Sequence, residues 1–327
     1  MPQLSRRRTL LAGLGLPAGL ALPGMARAQS WPNGPIRIIV PFAPGGSVDT
    51  TARLVQPSLQ ASLGVPVVVE NRSGAAGAIG AREVARATPD GQSWGLVFDS
   101  HATMNALNPK AGFDALRDFT PVMLMSTSPM LLTAAPGRSW PDLAALAAAA
   151  KARPETITYG TVGAGSLAHL LMELWQQQGG FRLTHVPYRG GGPMVAGAVA
   201  GEIDLAIASR GGLGGQVGDK LRPLAQSGPT RSPALPALPT FVESGFPGVA
   251  ALAFWAMLGP AGVPAPILAR FHAALATALA EPGIRQRLVE GQGVDIVASS
   301  PAELGSFLAA QAEEWGKVIR ERHITLD

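Results

Sequence analysis

The stretch Ile36-Arg37-Ile38-Ile39-Val40 constrains the fold more than any other part of the chain: five residues, mostly β-branched, stopped by Pro41. Such a run reads as a short buried strand, because β-branched side chains suit a pleated surface and proline cannot donate into a ladder. The chain leaves it through Phe42-Ala43-Pro44-Gly45-Gly46-Ser47. It then enters a helical pattern in which Val48, Ala52, Val55, Leu59 and Leu63 share one face before Gly64. Strand, glycine loop and helix recur. Residues 65–70 and 94–98 read as strands, with a helix over 75–87 between them. Farther on, a helix over 141–152 leads to a strand at 156–159, a glycine loop at 160–165 and a helix from Ser166 to about residue 178. Strands at 203–208 and 252–258 and helices at 264–280 and 301–322 continue the alternation, and 229–239 reads as a Pro-rich surface loop. Strands alternating with helices predict an α/β protein with parallel sheets covered on both faces. At 327 residues, 47% hydrophobic and 15% charged, the chain is long enough to fill two units of ordinary size.

Residues 1–28 stand apart. Arg6, Arg7 and Arg8 precede an apolar run over 9–24, followed by Ala26-Arg27-Ala28. A basic start, a short apolar run and a small-x-small end predict an export signal cut after Ala28, too short for the ~20 residues of a membrane span. Ser5-Arg6-Arg7-Arg8-Thr9-Leu10 resembles a twin-arginine signal, with an ordinary Sec signal as the alternative. The remainder is expected in the periplasm. Of 26 basic and 22 acidic residues, 1–28 hold four basic and no acidic ones, so the rest is balanced. A balanced chain lacks the concentrated basic surface of a non-specific nucleic-acid binder, and none is expected as a partner. With no cysteine, disulfides, thiolate nucleophiles, zinc–thiolate sites and iron–sulfur clusters are excluded.

Two strand–loop–helix junctions carry the chemistry. In open α/β sheets ligands sit beyond the carboxyl ends of strands, where helix N-termini point. Residues 41–49 form the first junction, and Gly160-Thr161-Val162-Gly163-Ala164-Gly165-Ser166 the second. Adjacent glycines let N–H groups approach a ligand, and the helix dipole that follows favours an anion. Two such ends across a cleft suit a small di-acid. The competing reading makes both plain helix starts, with Ser47 or Asp49 and Ser166 as N-caps. Glycine clusters at 74–80 and 160–165 echo dinucleotide loops without the G-x-G-x-x-G spacing, and no Walker A sequence occurs. Nor is there a G-x-S-x-G elbow or an H-E-x-x-H helix, and His101, His169, His185, His272 and His323 lack metal-ligand spacing. Neither an enzyme, a metal site nor a cofactor is therefore expected. Trp175 and Leu171 read as core, and Arg72 and Arg189 as carboxylate partners or structural ion pairs.

The order of several short motifs resembles one family. Residues 35–49, Val67-Val68-Val69-Glu70-Asn71-Arg72, Pro89-Asp90-Gly91 and Asp118-Phe119-Thr120-Pro121-Val122 are followed by His185-Val186-Pro187-Tyr188-Arg189-Gly190 and by Pro239-Thr240 with Glu243-Ser244-Gly245. Together they resemble the solute-binding proteins of tripartite tricarboxylate transporters, the Bug family, over essentially residues 31–325. The resemblance implies a two-lobe, Venus-flytrap periplasmic binding protein, each lobe a mostly parallel sheet flanked by helices. Lobe 1 is then 29–128 plus 250–327, and lobe 2 is 129–249. It implies a monomer that closes on a small organic acid and delivers it to integral-membrane permease subunits. The alternatives are a ligand sensor signalling to a two-component partner and a periplasmic hydrolase. Carried over residue by residue, the ligand-binding set is Phe42, Pro44, Gly45, Gly46, Ser47, Asp49, Gly163, Gly165, Ser166 and His169, with Ser100, His101 and Ser209 toward the distal end. An amino-acid ligand would need an acid near its ammonium group, and Asp49 and Asp99 are the nearby candidates. Departures from the family pattern are Ser73 for a usual proline, Gly197 for a usual acid, and the glycine-rich run 209–215.

Overall fold

The computed structural model describes residues 31–325; the export-signal reading of 1–28 lies outside them. In chain order the elements are β1 (Ile36–Val40), α1 (Ser47–Leu63), β2 (Val67–Asn71), α2 (Ala78–Ala85), β3 (Ser93–Phe98), α3 (Ser100–Leu107) and the long β4 (Phe119–Ala134). Then come α4 (Leu143–Ala152), β5 (Thr158–Thr161), α5 (Leu167–Gly179), β6 (Thr184–Pro187), α6 (Gly191–Ala200), β7 (Leu205–Ser209) and β8 (Arg222–Gln226). The chain closes with β9 (Leu252–Pro260), α7 (Ala265–Ala280), α8 (Pro282–Gln286), β10 (Asp295–Ile296) and α9 (Pro301–Arg322).

One sheet runs through the described chain in the order β2-β1-β3-β9-β4-β7-β5-β6, with β8 and β10 also paired to β4. The α/β class holds, and the outer ladders are parallel: β1 with β2 and β3, β5 with β6 and β7. Around β4 the pairings are antiparallel instead. Along β4 the partner changes: residues up to Pro129 pair with β9, and those from Met130 to Ala134 pair with β7 and β8. Sequence inspection gave no strand at β4, because Ser126, Thr127, Ser128 and Pro129 interrupt its apolar run. All four sit in the ladder and all four are buried.

The register fixes where strand ends meet. Phe98, the last residue of β3, lies opposite Trp255, which lies opposite Ser126 of β4. From the other side Ser209, the last residue of β7, lies opposite Met130. β1 runs parallel to β3, and β5 parallel to β7. The carboxyl ends of all four strands therefore run toward the stretch 126–130 of β4.

One apolar cluster joins β1, α1 and α7 to α4, α5 and Phe241, with Trp94, Trp175 and Trp255 inside it. Trp175 and Leu171 are fully buried, the core positions their helix spacing predicts. A second cluster packs α2, α3 and α9 on the other face of β3 and β9, and a third lies under α6. The helix α6 escaped sequence inspection because Gly191, Gly192, Pro193 and Gly197 are poor helix formers. Its burial of Met194 and Ala198 outweighs their propensity. Gly197 also explains one departure from the family pattern: a Cβ there would overlap Tyr188 Oη, so an acid fits only if Tyr188 moves. Among the described residues no helix is long and apolar enough to cross a membrane.

Candidate functional site

The first loop leaves β1 at Pro41 and enters α1 at Ser47, and residues 43–46 are exposed. Gly46 is the N-cap residue, and no side chain caps the first-turn amides of α1. The first intrahelical donor is Thr50 N–H, to Gly46 O at 2.9 Å. The amides of Ser47, Val48 and Asp49 precede it and have no helical acceptor, the usual state of a helix start. The capping reading of Ser47 and Asp49 therefore does not hold. Asp49 instead folds back beneath the loop, 3% exposed. Its Oδ2 accepts Gly45 N–H at 2.9 Å, its Oδ1 accepts Asn71 Nδ2 at 2.9 Å, and Arg53 Nε lies 3.0 Å from both oxygens. Burial raises the Asp49 carboxyl, but the Arg53, Gly45 and Asn71 hydrogen bonds outweigh it and hold the group below the ordinary aspartate value. Asn71 also donates to Phe42 O at 3.1 Å, tying β2 to the loop. Gly45 sits at φ +80°, the left-handed region that glycine tolerates.

The second loop is built from different groups. Ser166 is the N-cap of α5; its Oγ accepts His169 N–H at 3.4 Å and donates to Gly163 O at 2.8 Å. Gly165, at φ +73°, donates its N–H to His169 Nδ1 at 3.1 Å. Thr161 Oγ1 bonds both Gly163 O at 2.9 Å and His185 Nε2 at 2.8 Å. For Ser166 the capping reading holds, and the buried hydroxyl already has two partners.

Beside the first loop a recess of about 10 Å³ is lined by Pro41, Phe42, Ala76, Phe98 and Ser100 among others. Phe42 packs edge-on to Phe98 at 6.1 Å, and Ser100 Oγ donates to Ala76 O at 3.3 Å. This brings Phe42 and Ser100 together with Pro44, Gly45, Gly46 and Ser47 on one side. His101 departs from the expectation: it also borders the recess, but it is 2% exposed, its Nε2 bonds Ala115 O at 2.8 Å, and its ring packs edge-on to Phe119. Burial drives its pKa down to about 4, so it is a neutral core residue. Ser209 is 3% exposed and its Oγ accepts Gly212 N–H at 3.3 Å, holding the turn after β7. Asp99 is fully enclosed at the end of β3; its Oδ2 has no partner, and burial pushes its pKa up to about 8. Asp49 and Asp99 are thus both poor seats for an ammonium group: one is saturated, the other protonated at neutral pH. Arg72 pairs with Glu70 at 2.8 Å and Glu83 at 3.1 Å, the structural reading of that residue.

Asn71 and His185 carry no role in the sequence reading, and the Thr161 hydroxyl, expected as a ligand donor, is held within the loop by Gly163 and His185. Asn71 and His185 lie in the motifs 67–72 and 185–190, and the signal was there without a contact to explain it. Among the described residues no group of three or more His, Asp or Glu is placed to hold a metal ion.

Two glycine loops, each opening a helix and each at a strand end that runs toward the same stretch of one α/β sheet, define the class: a solute-binding protein. The sequence profile described as tripartite tricarboxylate transporter family receptor matches residues 51–324. Protein BugT of Bordetella pertussis is 34% identical over 319 residues, covering 95% of this chain and 97% of BugT. Among solved structures, the periplasmic binding protein BugD superposes with a TM-score of 0.82 at 29% identity, covering 90% of this chain and 99% of BugD. Rpa4515 of R. palustris with adipate gives 0.84 at 31%, covering 90% and 99%. MatC of Rhodopseudomonas palustris with bound malate gives 0.81 at 30%, covering 88% and 100%. The chain belongs to the tripartite tricarboxylate transporter receptor family, whose members are periplasmic solute receptors of the Bug type.

Proposed function

We propose that this protein captures a small dicarboxylate between its two glycine loops and delivers it to a membrane permease. The observation that carries the reading is the bare start of α1. Its exposed glycine pair leaves the Gly46, Ser47 and Val48 amides and the Ser47 hydroxyl for one carboxylate, while Asp49 is neutralised behind them. The Gly163 and Gly165 loop meets the same carboxylate from the other half of the sheet, and Phe42 and Ser100 border its stem. Adipate and malate in two relatives support the class of ligand. Closure is a hinge motion about β4 near Pro129 and Met130 and the start of β9, where strand partners change. Lobe 1 is 29–128 with 250–327, and lobe 2 is 129–249. The protein acts as a monomer, exported by the signal at 1–28 through the twin-arginine route, and returns its ligand unchanged.

Calorimetric titration, after unfolding and refolding to strip co-purified ligand, tests this with dicarboxylates, tricarboxylates, acidic amino acids, aromatic acids and neutral sugars. One-to-one binding of a dicarboxylate recovered intact is expected. Gly46→Val and Gly165→Val each abolish it by blocking close approach. Silence across all acids, a converted product, or variants that bind like the parent would overturn the reading.

A further inference from the structure

His169 holds the second loop as an acceptor rather than as a charge. Its Nδ1 receives the Gly165 N–H at 3.1 Å, so that nitrogen carries no proton and Nε2 does. The ring lies flat on His185, centroids 4.0 Å apart and planes 11° apart, and His185 in turn stacks on Tyr159 at 4.9 Å. Three elements place polar groups around the pair. From α5, Glu173 Oε1 lies 3.9 Å from His169 Nε2. From β5, Tyr159 Oη donates to Glu173 Oε1 at 3.2 Å and Thr161 Oγ1 bonds His185 Nε2 at 2.8 Å. From β6 comes His185 itself. Burial lowers the pKa of His169 against the pull of Glu173, and burial followed by the charge of His169 lowers His185 to about 3. The stack is therefore neutral at neutral pH, and a proton on one ring opposes a proton on the other.

Resting on the receptor reading above, we propose that His169 is the positioning residue of the second loop: its neutral imidazole, stacked on His185, fixes Gly165 and with it the course of the loop that meets the carboxylate, and a proton on Nδ1 releases it. A protonated Nδ1 would set two donors against each other at 3.1 Å, so Gly165 must move. Gly165 is buried and directly precedes the Ser166 cap, so the displacement reaches the start of α5. The direction follows from the lowered pKa. The folded state prefers neutral His169, so the brace is complete above the ordinary histidine value and is withdrawn as pH falls through the lowered one. The loop thus lets go in acid.

The test has a ligand-free arm and a binding arm. In ¹⁵N-labelled protein without ligand, the His169 ring should show the Nε2–H tautomer at neutral pH, and the Gly165 amide resonance should follow the His169 titration. In the binding arm, adipate affinity should fall about fivefold, the worth of one hydrogen bond, as pH is lowered through the His169 titration followed in the first arm. His169→Asn, whose amide oxygen can accept from Gly165 without titrating, should retain binding at neutral pH and flatten the profile. His169→Ala should lose affinity at both ends. A Gly165 amide indifferent to His169, or an unchanged profile in His169→Asn, would overturn the brace. If no acid binds the parent while Gly165 still follows His169, the brace stands and the dicarboxylate reading falls.

Discussion

The two glycine loops solve one problem with opposite materials. In each, a glycine at positive φ donates its N–H to a side chain four residues ahead, in the first turn of the helix that follows: Gly45 to Asp49, Gly165 to His169. The first brace is a permanent anion, already shared with Arg53 and Asn71; the second is a neutral ring stacked on another. The first loop is exposed and its helix uncapped, whereas the second is largely covered and its own serine does the capping. An anion-receptive helix start can therefore be made by leaving donors bare over a neutralised acid, or by holding a capped turn rigid. Only the second route rests on a group that is neutral at neutral pH and gains a charge in acid.

The largest expected effect is from Asp49→Ala, which strips acceptors from Gly45, Asn71 and Arg53 together. It should cost about 2–4 kcal/mol in urea unfolding and end adipate binding in calorimetry. If stability holds, the acid does not brace its loop and the parallel with His169 fails. Next in size, Gly165→Ala should cost about 1 kcal/mol for a side chain at positive φ, and Ser166→Ala a similar amount for a lost cap. Both are read from shifts in the urea midpoint. Gly46→Ala and Ser47→Ala form the counterpart in the first loop, where stability should move by less than about 0.5 kcal/mol. Gly46 has φ −74°, a Cβ there meets only Ala43 O at 3.5 Å, and Ser47 makes no cap. Any affinity they lose reports the carboxylate rather than the fold.

The smallest signal sharpens the contrast most. Asp49 contributes stability above the ordinary aspartate value that is lost only as pH falls through its lowered one. As pH falls through the His169 titration, amide exchange corrected for its intrinsic pH dependence should stay level at Gly45 and quicken at Gly165. Equal behaviour at both would erase the distinction.

The alternation of strands and helices was legible because β1, β3, β7 and β9 are apolar runs of the right length, and α1 and α5 keep a helical stripe. Both glycine loops were legible for the same reason, as breaks between unmistakable elements. What stayed hidden depends on distant partners. Nothing local says that Pro129 continues a strand, because its partner, Leu252 of β9, comes from beyond residue 250. The family resemblance puts Asp49 and His169 in the expected ligand-binding set, but their role as braces needs the glycine four residues back to be turned toward them. His101 shows the converse: its place beside Ser100 suggested a ligand contact, and only the aromatic ring of Phe119 and the carbonyl of Ala115 place it in the core.

The long strand β4 has a consequence for how the chain comes together in time. Its second half needs only β5 to β8, all drawn from the next hundred or so residues, so that side of the sheet closes over shorter sequence separations than the pairing with β9. Its first half must wait. β9 inserts between β3 and β4, so strands made early stay unjoined until Leu252 and the residues after it arrive. A growing chain therefore has its His169 loop seated while its Asp49 loop still belongs to an open-edged fragment. The last quarter of the sequence is the piece that converts two unequal halves into one receptor.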